Sequence, residues 1–132
     1  MGIVVDTSAV IAVAGNEPTK PRLIELTRGE ELLAPASLPW EIGNAVSAMF
    51  KQKRATMEQG LELVAQYRLI PIRLVEVAIA ECLKIASARN IYAYDAYVIQ
   101  CALQAGYPIL SLDGGLREAA RLSGATVLEV KP

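Results

Sequence analysis

Residues 2–14, GIVVDTSAVIAVA, pass from a β-branched run into an Ala-rich run with a single acid, Asp6, at the junction. Residues 108–113, PILSLD, repeat the first half of that pattern, an apolar run closed by Asp113. An uninterrupted apolar run of this length fits a strand buried on both faces, and the Ala-rich run beginning at Thr7 or Ser8 fits a helix. A strand that leads directly into a helix is half of a parallel crossover unit. The rest of the chain continues the alternation. After the loop NEPTKPR (16–22), a helix with Leu23, Ile24 and Leu26 on its apolar face precedes a brief strand, ELLAP (31–35). Ser37 and Pro39 open a helix in which Leu38, Ile42, Ala45, Val46, Met49 and Phe50 recur at helical spacing to about Arg54.

Thr56 and Gln59 have capping-box spacing at the start of a further helix, with Leu61, Val64 and Ala65 read as its inward face. LIPIRLV (69–75) reads as a strand that tolerates Pro71 near an edge or at its start. Helices follow at Val77 to Ala88, closed by Asn90, and at Tyr94 to Gln104, closed by Gly106. After PILSLD come a helix from Leu116 to Leu122 and a last strand, TVLEV (126–130). The expected architecture is α/β: a three-layer α/β/α sandwich with a central, mainly parallel sheet, in one domain over residues 1–132.

Composition narrows the function. A formal net charge of -1 does not announce a polyanionic partner. The chain has no histidine, and its two cysteines, Cys82 and Cys101, lie in separate apolar helices, so a zinc site is excluded and both thiols are expected reduced in the core. The apolar start lacks a preceding Lys or Arg and is broken by Asp6, and no segment is long enough to span a bilayer. The expected location is the cytoplasm.

In an open parallel sheet, ligands gather beyond the carboxyl ends of the strands. Asp6 and Asp113 therefore become neighbours by topology, although either could equally serve as the cap of the helix it precedes. Asp95 heads the stripe Val98, Ile99, Ala102 and Leu103, where an unpaired carboxylate is costly; its alternative role is a first-turn charge that suits the helix dipole. Glu41, with Asn44 three residues on, faces one side of its helix and could instead be a solvated first-turn acid. Two unit charges about 4 Å apart repel by about 4 kcal/mol at an effective dielectric near 20, so four acids in one pocket call for a cation. Oxygen donors without Cys or His suit magnesium or manganese, and such an ion serves hydrolysis of a phosphate ester.

Four blocks, VVDTSAV (4–10), LPWEIGNAVS (38–47), YAYDAYVIQCALQAGYPILSLDGGL (92–116) and the final strand, resemble in order and spacing the PIN-domain family, and in size its VapC-type toxin ribonucleases. That resemblance implies Asp6, Glu41, Asp95 and Asp113 as metal-binding catalytic acids, with Ser8 and Asn44 as supporting polar groups. Ser111 stands where the family often has Thr. It further implies an RNA substrate, a small antitoxin protein as partner and a homodimer. Many relatives place basic residues directly after the last acid, whereas here Gly114 and Gly115 intervene before Arg117. Candidate RNA contacts are Lys51, Lys53, Arg54 and Arg117, with Arg121 beside the last; the run KQKR (51–54) also suits a solvated helix end. Tyr92, Tyr94 and Tyr97 could stack on bases or pack the helix start. The competing functions are a binding module that kept the fold without catalysis and an aspartyl-phosphate or phosphatase chemistry. The latter usually needs a strand-end lysine, which the chain lacks, and a second Asp where Ser8 stands.

Overall fold

The computed structural model describes residues 1–131. Strand β1 (Gly2–Val5) leads through Asp6 into helix α1 (Thr7–Ala14), then α2 (Lys20–Thr27), β2 (Glu31–Pro35), α3 (Leu38–Lys51), α4 (Met57–Arg68) and β3 (Ile72–Val75). Helices α5 (Ile79–Arg89) and α6 (Ala93–Ala105), strand β4 (Ile109–Leu110) and helix α7 (Gly114–Leu122) complete the order. The sheet order is β3-β2-β1-β4, and every pairing is parallel. β3 lies at an edge, with Pro71 just outside it, where a missing N–H does least harm.

Alternation along β1 explains its unbroken apolar composition. Ile3 and Val5 enter one core with Ala9, Leu23, Ile42, Val46 and Leu63, while Val4 points the other way, into a core with Ile99, Cys101, Leu116 and Ala120. Helices α1 to α4 thus contribute to one face of the sheet and α6 and α7 to the other, which is the three-layer α/β/α sandwich. Cys82 and Cys101 are buried and unpaired. Among the described residues no helix is long and apolar enough to cross a membrane.

Several local expectations need correction. The strand expected at 126–130 shrinks to one parallel bridge between Val127 and Ile109, because β4 itself is only two residues long and offers little ladder to extend. In α4 the inward face is Gly60 and Leu63, with Val64 half-buried, whereas Leu61 and Ala65 are exposed. The helix is rotated because Gly60 packs directly against Phe50 and Val46 of α3. Ile24 and Leu103 are likewise exposed at the margins of their stripes. Helix α7 starts at Gly114 rather than Leu116, since Asp113 caps it. The capping box at Thr56 and Gln59 is formed in full, and Asn90 and Gly106 take the left-handed conformation at their helix ends.

Candidate metal centre

The register pairs Val5 with Leu110, so β1 and β4 finish side by side, and the Asp6 amide donates to the Leu110 carbonyl at 3.3 Å. Asp6 is only 6% exposed. Its Oδ1 accepts from the Ser8 hydroxyl at 2.7 Å and the Ala9 amide at 3.0 Å, and its Oδ2 from the Ser111 hydroxyl at 2.6 Å. The same two serines bind the chain leaving β4: Ser8 Oγ accepts from the Leu112 amide at 2.9 Å and Ser111 Oγ from the Asp113 amide at 3.0 Å. Burial raises the pKa of Asp6, against the opposing pull of Ser111, Ala9 and Ser8, and the charge of Asp113 adds to the rise.

Glu41, in the first turn of α3, is held between two hydroxyls: Ser37 donates to Oε2 at 2.6 Å and Thr7 to Oε1 at 3.2 Å. Burial raises its pKa too, offset by those two donors, with the charge of Asp6 adding to the rise. Asp95, in the first turn of α6, is pushed up to about 6, first by burial and then by the charges of Asp113, Asp6 and Glu41; no hydrogen bond offsets them. Asp113 is exposed and caps α7, with Oδ1 accepting from the Gly115 and Leu116 amides at 2.9 and 3.2 Å. The two roles considered for Asp6 and Asp113 are therefore compatible, because each caps a helix and still lines the cleft.

All four acids line one cleft at the carboxyl edge of the sheet, together with Thr7, Ser8, Glu17 and Arg54. The remaining candidates are placed unevenly. Ser8 and Ser111 bind Asp6 directly. Asn44 is exposed and not among the residues lining the cleft, since α3 turns it outward past Glu41. Lys51 and Lys53 are also exposed and away from it. Arg117 and Arg121 are committed to Glu129, at 3.3 and 3.1 Å. Tyr94 packs edge-on against Tyr97, with ring centres 5.8 Å apart, while Tyr92 is exposed. Three residues went unread as site groups: Thr7 and Glu17, which line the cleft, and Ser37, which binds Glu41. Ser37 sits four residues before Glu41, a spacing that could have revealed it; Thr7 had been noted only as a helix start, and nothing local marks Glu17.

The donor set suits a hard divalent cation: it is all oxygen, and none of the four acids is in an ion pair among the described residues. The carboxylates of Asp6, Glu41 and Asp113 are drawn back onto hydroxyls and amides, and no three of the four already form a close cluster among the described residues. Their mutual effect on Asp95 nevertheless shows that they share one electrostatic environment.

A family model described as PIN domain matches residues 3–122. Among solved structures, the chain is similar to PAE2754 from Pyrobaculum aerophilum, at 21% identity and TM-score 0.69 over 96% of this chain and 90% of that one. It is similar to VapBC2 from Rickettsia felis, solved bound to a DNA fragment from their promoter, at 12% identity and TM-score 0.66 over 97% and 98%. It also resembles VapC20 from Mycobacterium tuberculosis, described as a sarcin-ricin loop cleaving toxin, at 16% identity and TM-score 0.65 over 99% and 100%. At these identities the likeness is one of fold. No curated protein sequence matches the chain.

Proposed function

The chain belongs to the PIN-domain family, and from that footing we propose that it is a divalent-metal-dependent endoribonuclease, a single nuclease domain over residues 1–132 that hydrolyses RNA phosphodiester bonds. The observation that carries this reading is the convergence of Asp6, Glu41, Asp95 and Asp113, from four separate elements, on one cleft at the carboxyl edge of the sheet. A magnesium or manganese ion held by these oxygens would activate water and balance charge on the phosphate. The chain's own part is to fix the donors. Ser8 and Ser111 hold both oxygens of Asp6, Thr7 and Ser37 hold both oxygens of Glu41, and Asp113 is oriented by the α7 amides it caps. Asp95, with no such donors, is the group whose charge most needs a cation.

The likeness in fold to VapC20 and to VapBC2 supports the narrower role of toxin in a type II toxin-antitoxin pair. On this reading the protein is a cytoplasmic homodimer whose partner is a small antitoxin protein. The test is to incubate the pure protein with total RNA in manganese or magnesium, and again in chelator. Cleavage that requires the metal is expected. Intact RNA in every metal condition refutes the activity, and equal cleavage in chelator refutes the mechanism.

A further inference from the structure

Arg54 is the one cationic residue lining the acid cleft among the described residues, and a local turn puts it there. Helix α3 ends at Lys51 with Gln52 as its C-cap; the Lys53 amide donates to the Phe50 carbonyl at 3.1 Å and the Arg54 amide to the Met49 carbonyl at 2.8 Å. That pair of bonds is a Schellman motif, and it requires a left-handed residue, here Lys53 with φ 57. A lysine in this conformation is disfavoured by about 1 kcal/mol relative to glycine. The turn separates three neighbouring exposed cations: Arg54 lines the cleft, whereas Lys51 and Lys53 do not.

Arg54 makes no ion pair among the described residues, although five carboxylates, those of Asp6, Glu17, Glu41, Asp95 and Asp113, line the same cleft. Its Nε donates instead to the neutral Gln52 Oε1 at 2.6 Å. The terminal nitrogens of the guanidinium remain as a planar fork, which matches two oxygens of a phosphate. Arg54 also forms part of the adjoining groove with Asn16 and Gln59, so it stands where a strand passing from groove to cleft must cross. We propose that Arg54 binds the phosphate next to the scissile one in a single-stranded RNA and thereby sets the register of the strand in the cleft. This rests on RNA being the substrate of the acid centre.

The experiment compares Arg54→Gln with Lys51→Gln and Lys53→Gln, three variants that each remove one charge from the same turn. Binding of a fluorescein-labelled single-stranded RNA of mixed sequence is followed by anisotropy in chelator across a salt series. Arg54→Gln should weaken binding several-fold and lower the slope of log affinity against log salt by about 0.7, the value of one lost phosphate contact on a single strand. The two lysine variants should leave both nearly unchanged, and Arg54→Lys should restore the slope but only part of the affinity. In turnover with manganese, Arg54→Gln should raise KM while manganese affinity is not reduced. Equal losses in all three glutamine variants, an unaltered Arg54→Gln, or no binding by the wild type overturns the assignment. Wild-type protein that cleaves RNA with manganese while Arg54→Gln behaves normally defeats this inference alone; wild-type protein that never cleaves defeats the nuclease reading itself.

Discussion

Replacing Asp95 by asparagine removes a charge and keeps the shape of the side chain. The native carboxylate is raised from its ordinary value of 3.8 to about 6 by burial and by three neighbouring acids. The folded state therefore holds this proton more tightly than the unfolded chain does. Without metal, the stabilisation is complete below the ordinary value and is lost as pH rises to about 6. The separation of the two values corresponds to about 3 kcal/mol. Asp95 is half-buried, and solvent screening leaves about 1 kcal/mol of that. The α6 dipole favours a first-turn acid by about 0.5 kcal/mol, so the net gain in Asp95→Asn at neutral pH is about 0.5 kcal/mol. For a domain of this size that is a rise in Tm of about 1 to 3 °C in chelator, shrinking toward zero near about pH 4. Cleavage in manganese should fall at least about 100-fold, because an amide oxygen replaces a charged ligand. Thermal melts and cleavage assays on the same preparations decide the matter. A clear drop in Tm, or near-normal activity, refutes the reasoning and leaves Asp95 as an ordinary helix-start residue.

Three further outcomes follow from the geometry. Gly60→Ala should destabilise by about 1 kcal/mol in urea titration: helix propensity alone favours alanine by about 1 kcal/mol, but the new Cβ would lie 2.5 Å from Phe50 Cζ and 2.9 Å from Val46 Cγ1, and such overpacking costs about 1 to 3 kcal/mol. An unchanged or higher urea midpoint would contradict that packing. Ser111→Ala should lower stability at neutral pH by about 2 kcal/mol, since it strips a buried donor from Asp6 Oδ2 and an acceptor from the Asp113 amide; a loss under about 0.5 kcal/mol would show the network to be dispensable. Because burial raises the pKa of Asp6, Glu41 and Asp95, and cations bind the ionised forms, cleavage at limiting manganese should climb between about pH 5 and pH 7; a flat profile would show that these acids do not control it.

The parts of the fold that were legible in the sequence are those where one physical cause dominates. β1 could be read because its four residues are buried on both faces, and the terminal acid marks the strand end. The alternation of elements implied a parallel sheet, and topology then placed Asp6 beside Asp113 without any contact being known. Phase within a helix was less legible. Leu61 and Ala65 were assigned inward by hydrophobicity, but the deciding contact is the absence of a side chain at Gly60, which lets α4 approach Phe50. The 126–130 segment has strand composition and only a two-residue partner, a limit set by tertiary structure. At the candidate site, the four acids and the serines that hold Asp6 could be named from the sequence, whereas the hydroxyls that orient Glu41 could not: Thr7 reaches Glu41 across 34 positions of sequence. Asn44 shares a helical side with Glu41 in projection, yet it is exposed, because three residues of rotation carry it past the cleft.

The central claim, that the four acids jointly hold a cation, is tested most directly by titrating manganese into wild-type protein and Asp6→Asn and following free manganese by electron paramagnetic resonance. Asp6 is the most buried of the four and is fixed at both oxygens by Ser8 and Ser111, so it cannot be replaced by the rearrangement of a neighbour. Saturable binding in the wild type, weakened at least about tenfold in the variant, is the expected result. Identical binding curves for the two proteins, or no saturable binding by the wild type, would contradict it.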